Sequence, residues 1–263
     1  MLWTKKALFF KDMPEGYRKN EKILFAGVDF SGIQGFIYQN DSMESLNEIT
    51  RRSEYIQQLS VKINEELTGI LKEYLYTPIT VSSGKIQAIL KNNKDAARVF
   101  ESHLKNIQEI VFLEYQGRIQ IFYGVTYAWI RNKNSGRYNS AFPALMNVIE
   151  KNKYQSTNLY ELDSESSGYS RYSICSLLPE KEYENSIGFD SIKLAAVKMD
   201  FDNLGNLFSS IMEADVKANI SEKIIEIIDK AVSGIKNLHL IYAGGDDIFF
   251  ICPFSCILEV IQT

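Results

Sequence analysis

Apolar and polar positions alternate and recur along this chain in two similar sequences of elements. Lys22 to Phe30 is an apolar run that reads as a strand carrying Asp29 near its end. From about Ser45 to Tyr74, Ile56, Leu59, Ile63, Leu67, Ile70 and Leu71 recur at helical spacing. Pro78 to Leu90 reads as a hairpin turning at Ser82-Ser83-Gly84-Lys85, and a helix is expected from about Lys94 to Val111. Phe112 to Tyr123 is expected to be strand, turn, strand, and residues 1–20 a leading strand or arm. Phe142 to Lys153 reads as a helix, followed by a polar loop over Tyr160 to Ser170.

The order then begins again. Leu194 to Met199 is an apolar strand ending in Asp200, and the tight turn Asp202-Asn203-Leu204-Gly205 opens a helix. A second helix follows, and then the apolar runs Leu240–Ala243 and Ile248–Ile251 flank Gly244-Gly245-Asp246-Asp247. Asp29-Phe30-Ser31-Gly32 aligns with Asp200-Phe201-Asp202-Asn203, and Ser82-Ser83-Gly84-Lys85-Ile86 aligns with Gly244-Gly245-Asp246-Asp247-Ile248. Strand-helix-hairpin-helix-strand twice over predicts an α+β chain of two ferredoxin-like palms packed as a pseudo-symmetric pair. The expected boundaries are 1–130 for a first palm, 131–190 for a connector, and 191–263 for a second palm that lacks its closing strand.

The chemistry concentrates where the two copies differ. Adjacent Asp246 and Asp247 repel each other unless a cation lies between them, and carboxylate oxygens suit Mg²⁺ or Mn²⁺. Glycine and aspartate are also the commonest turn residues, so this hairpin alone is compatible with a solvated turn. Asp200 at a strand end, beside the free amides of a helix start, adds a further metal ligand and a phosphate cradle. In the first copy Gly84 and Lys85 stand in place of the two acids. That palm is expected to build no such metal site. Lys85 either faces a phosphate or is an exposed hairpin lysine.

Together these stretches resemble one family. Asp-Phe-Asp-Asn-Leu-Gly (200–205) with Tyr-Ala-Gly-Gly-Asp-Asp (242–247) is similar to the second palm of the large subunit of type III (Csm-type) CRISPR effector complexes. Val28 to Tyr38 resembles the opening of that family's first palm, and Arg51-Arg52-Ser53-Glu54-Tyr55 the start of its first long helix. The resemblance implies an ATP-using nucleotidyltransferase that makes cyclic oligoadenylate second messengers in antiviral defence. Asp200, the Phe201 carbonyl, Asp246 and Asp247 would be metal ligands, with Asp246 and Asp247 catalytic. Asp202, Asn203, Leu204, Gly205, Asn206, Gly244 and Gly245, with Ser31, Gly32, Ser83, Gly84 and Lys85 across the seam, would bind nucleotide. It also implies partner effector subunits, with guide and target RNA reached through them. The alternatives are a non-catalytic structural subunit and a diguanylate-cyclase-like enzyme, whose turn reads Gly-Gly-Asp/Glu-Glu-Phe rather than Gly-Gly-Asp-Asp-Ile.

Composition narrows the field further. A net charge of −4 with 45% hydrophobic residues fits a globular protein that is no polycation, so any RNA contact would be local or through a partner. Three scattered cysteines (Cys175, Cys252, Cys256) fit a reducing, cytoplasmic setting. With Cys175 alone in the connector, the family's zinc site is not expected. His103 and His239 are the only histidines and neither precedes an aspartate, so the family's N-terminal nuclease is not expected, nor its C-terminal helical domain. Walker A and Gly-x-Gly-x-x-Gly patterns are missing. No membrane span is expected, and a homodimer could cover an unpaired edge strand.

Overall fold

A computed structural model describes residues 5–37, 46–132, 138–156, 194–201, 204–233, 238–244, 247–253 and 257. The first unit is built on a six-stranded sheet in the order β3-β4-β2-β5-β1-β6. Its strands are β1 (Lys5–Phe9), β2 (Lys22–Ser31), β3 (Thr77–Ser82), β4 (Lys85–Lys91), β5 (Gln120–Arg131) and β6 (Tyr138–Ser140), and the short helix α1 (Ile33–Ile37) follows β2. β2 is antiparallel to both β4 and β5, whereas β1 runs parallel to β5 and β6.

β2 is apolar almost throughout because both of its faces are covered. Leu24, Ala26, Val28 and Phe30 pack into a core with α2 (Leu46–Ile70) and α3 (Lys94–Glu114) through Ile56, Ile63, Leu67, Phe100 and Leu104. Ile23 and Phe25 point the other way, into a core with Leu145 and Ile149 of α4 (Phe142–Ser156). Gly27 and Gly124 are partners across β2 and β5, directly beneath this helix. A Cβ on Gly27 would lie 2.8 Å from Leu145 Cδ2, and one on Gly124 2.7 Å from Val148 Cγ1. The paired glycines let α4 settle onto the sheet.

Two expectations are revised here. Residues 112–114 form no strand; α3 continues through them to Glu114. It ends in a Schellman turn, with Gln116 at φ 52° and the Gly117 N–H donating to the Phe112 carbonyl at 2.9 Å. The segment 138–156, expected in the connector, is built into the first unit: β6 extends the sheet beside β1, and α4 covers β2 and β5. Most of the remaining connector lies outside the described residues.

The second unit has a three-stranded sheet, β7-β9-β8, from β7 (Leu194–Asp200), β8 (His239–Gly244) and β9 (Asp247–Pro253). Its helices are α5 (Leu204–Ser210) and α6 (Ala214–Ser233). Ile248, Phe250 and Cys252 pack with Ile228 of α6, supported by Ala195 and Val197 of β7.

The second sheet repeats the first residue for residue around its hairpin. Lys85 opposes Ser82 on one side and Asp29 on the other; Asp247 opposes Gly244 and Asp200. Even the irregularity recurs, since the ladder slips between Pro78 and Thr80 in one hairpin and between Leu240 and Tyr242 in the other. Such matched bulges are positional features of a fold and are set by backbone pairing.

The units touch through α2 against β8 and α6 against β3 and β1. The start of α6 is fixed directly to the first unit. The Asp215 carboxylate accepts from the backbone N–H of Lys11 at 2.9 and 3.0 Å and from that of Asp12 at 3.1 Å. Lys217 Nζ sits 4.3 Å from the ring centroid of Phe142, and Ala214 is buried in the α4 core.

Two outcomes follow from this packing. Gly27→Ala is expected to cost about 1–3 kcal/mol in chemical denaturation, because Leu145 and Ile149 are buried and have little room to yield. Asp215→Ala is expected to speed amide hydrogen exchange at Lys11 and Asp12 by about tenfold or more, while amides in the middle of β2 keep their protection.

Candidate functional site

β7 alternates between core and surface up to Lys198, and Met199 breaks the alternation by lying exposed beside Asp200. Ala195 and Val197 face the α6 core, while Ala196, Lys198 and Asp200 are exposed. Asp200 is the last rung of the β7–β9 ladder, and its partner there is Asp247. Directly opposed residues of an antiparallel pair have Cα atoms about 4.5–5.5 Å apart. Two acids far apart in the chain therefore meet at one end of one sheet. Gly244, opposite Asp247, closes the same rung on the β8 side.

Phe201 follows immediately, is exposed, and its carbonyl accepts a long bond from the Leu204 N–H at 3.4 Å. A carbonyl has a second lone pair, so this turn leaves it able to serve as a ligand. Leu204 is buried and starts α5, with Gly205 and Asn206 in its first turn. Asp202, Asn203, Gly245 and Asp246 lie outside the described residues. Among the described residues no group of three or more His, Cys, Asp or Glu gathers as a metal cluster. The Asp200–Asp247 rung is an oxygen donor pair, which suits a hard divalent ion such as Mg²⁺ or Mn²⁺ and not a thiolate-seeking one.

The corresponding rung of the first unit is differently furnished. Asp29 faces Lys85 across β2 and β4, and its carboxylate Oδ2 also accepts from Lys153 Nζ of α4 at 2.6 Å. Lys153 donates to Glu150 Oε1 at 3.0 Å as well. Burial pushes the Lys153 ammonium down, but its hydrogen bonds and charge contacts with Asp29 and Glu150 outweigh this and leave it above the ordinary lysine value. The stabilisation is thus full below the unfolded lysine value of about 10.5 and fades as pH rises through the higher folded value.

Nothing in the sequence pointed to Lys153, since it lies 124 positions from Asp29 on a helix assigned to the connector. Its signal is tertiary.

The first unit's glycines have structural reasons of their own. Gly32, after Ser31 at the end of β2, takes φ +83°, and a Cβ there would lie 2.1 Å from the Arg118 carbonyl oxygen. Gly84 follows Ser83 in the hairpin turn at φ +82°, where a Cβ would meet Ile33 Cδ1 at 2.4 Å. The Gly84 N–H donates to the buried Ser60 Oγ of α2 at 2.8 Å, and its carbonyl accepts from the Phe30 N–H at 2.8 Å. Both turns are fixed by packing whatever they bind. His103 is engaged within the fold, with Nε2 3.0 Å from Glu66 Oε2 on α2. Among the described residues no helix is long and apolar enough to cross a membrane.

Comparison with known proteins agrees with this division. The family model described as Csm1 subunit domain B matches residues 22–165, and that described as Cas10/Cmr2, second palm domain, matches residues 193–263. No curated protein matches the chain. Among solved structures, Csm1 in T. onnurineus superposes with a TM-score of 0.65 at 18% identity, covering 94% of this chain and 46% of that one. The Csm1-Csm4 cassette in complex with one ATP gives 0.67 at 18% identity, covering 93% and 47%. The same cassette in complex with cA4 gives 0.64 at 17% identity, covering 95% and 48%. The chain spans about half the length of the solved structures it matches. With domain B and the second palm matched in order by separate families, and one fold spanning both, the chain belongs to the Csm1 family of type III CRISPR large subunits.

Proposed function

We propose that this chain binds ATP at the Asp200–Asp247 end of the second palm and takes part in joining adenylates into cyclic oligoadenylates. The observation that carries the reading is the register that sets Asp200 opposite Asp247. The solved relatives described as bound to ATP and to cA4 support the substrate class. Asp200, the Phe201 carbonyl, Asp246 and Asp247 would hold Mg²⁺ or Mn²⁺. Such an ion, when bound, acidifies an attacking hydroxyl and offsets charge on the α-phosphate. Asp247 is the residue assigned to help take the hydroxyl proton, and the backbone N–H groups of residues 203–206 to orient the triphosphate.

The two palms would pack as a pseudo-symmetric pair. The exchange of contacts supports this, α2 of one lying on β8 and its counterpart α6 on β3. Ser31, Gly32, Ser83, Gly84 and Lys85 would then flank a second nucleotide, with the Lys85 ammonium toward its phosphates. The Csm1-Csm4 pairings among the relatives support a partner effector subunit. Guide and target RNA would act through such subunits.

A non-catalytic structural subunit is the second reading. It is favoured by one observation: among the described residues β7 is paired on one side only, whereas β2 is paired on both. A neighbouring strand, from a partner or a second copy, would complete that edge.

Titration calorimetry with ATP and Mg²⁺ separates the two. The protein is expected to bind ATP in a metal-dependent way, and Asp246→Ala/Asp247→Ala to weaken this by about tenfold or more. Equal, metal-independent binding by both proteins would remove the catalytic assignment. Incorporation of ATP but not GTP, followed by thin-layer chromatography, is expected to set aside the diguanylate-cyclase-like alternative.

A further inference from the structure

The two palms share a ladder but differ in what lies over it. In the second, Ala196, Lys198 and Asp200 share a face on which, among the described residues, no helix packs. In the first, the matching face carries Phe25, Gly27 and Asp29, and α4 lies across it. Leu145, Ile149 and Lys153 follow one another at intervals of four and so line one side of that helix. Leu145 and Ile149 rest on the flat made by Gly27 and its neighbours. One turn further, Lys153 reaches Asp29.

The surroundings of the Lys153 ammonium are those of a bound cation. It donates to Asp29 Oδ2 at 2.6 Å and to Glu150 Oε1 at 3.0 Å, and lies 5.8 Å from the ring centroid of Phe122. Phe122 is the β5 partner of Asp29, so the charge sits over the same rung. The side chains of Lys153 and Asp29 are only 23% and 15% exposed, so the pair is sheltered without being sealed. Asp29 occupies the register position of Asp200, and Lys85 that of Asp247.

We propose that the Lys153 ammonium is a tethered cation that stands at a latent divalent-metal position of the first palm, held there by α4. The inference rests on the metal reading of the Asp200–Asp247 rung and extends it to the other palm. It gives the asymmetry between palms two physical sources. One carboxylate of the rung is replaced by Lys85, and the space beside the other is filled by a side-chain charge that cannot dissociate. Lys153 is a positioning residue here, fixing Asp29 and the end of β2.

The test counts bound Mn²⁺ by electron paramagnetic resonance and follows thermal unfolding, using the full chain carrying Asp200→Asn/Asp247→Asn, with Asp246→Asn added, to silence the second palm. In that background, Lys85→Asp/Lys153→Met is expected to gain one bound Mn²⁺ and a Tm rise of about 5 °C at saturating metal. Adding Asp29→Asn should abolish both. Lys85→Asp/Lys153→Arg keeps a tethered charge and is expected to gain neither. A folded Met variant without bound Mn²⁺, or an Arg variant that binds as well as the Met variant, overturns the proposal. Failure of the underlying palm reading looks different: the unsubstituted protein would then hold no Mn²⁺ that these Asp200, Asp246 and Asp247 substitutions remove.

Discussion

Antiparallel pairing between β7 and β9 is the constraint on which the site depends. A one-residue slip would turn every side chain on β9 to the opposite face. The register is pinned from within, because Ile248, Phe250 and Cys252 must meet Ile228 and the inner residues of β7. Once those apolar residues are buried, Asp247 has no choice but to stand opposite Asp200. The acid pair is thus a by-product of hydrophobic packing several residues away.

The first unit obeys the same constraint with a different result. Burial of Leu24, Ala26, Val28 and Phe30 against α2 and α3 fixes β2, and Asp29 arrives at the same rung. Here a second helix covers the other face. Placing α4 on β2 and β5 is possible because Gly27 and Gly124 face each other and present no side chain. Helix α4 in turn carries Lys153 to the carboxylate, and two charges that would each lose hydration on burial are kept in contact. The two units share a ladder register and differ in what lies over it.

The union of the two units is also mainly a matter of surfaces. Contacts of α2 with β8 and of α6 with β3 set a helix of each unit against the outer hairpin strand of the other, while Asp215 ties the start of α6 to the amides of Lys11 and Asp12. The Asp215 clasp spans more than 200 positions of sequence and uses backbone donors, which carry no residue signature. A motion that parts the Lys11–Asp12 backbone from the start of α6 has to release it.

The amino-acid sequence by itself determined most of the element order and the hairpins that set Ser82 opposite Lys85 and Gly244 opposite Asp247, and it named the acids to look for. These are set by local periodicity and by glycine and aspartate at turns, which the chain carries in plain order. It misjudged residues 112–114, because a short apolar run is compatible with both strand and helix until the Schellman turn at Gln116 fixes the end. Only the tertiary structure decided that 138–156 belongs with the first unit, that Asp200 stands opposite Asp247, and that Asp29 is held by Lys153. Each of these joins residues that local pattern cannot connect, since the partner is chosen by burial and register across distant segments.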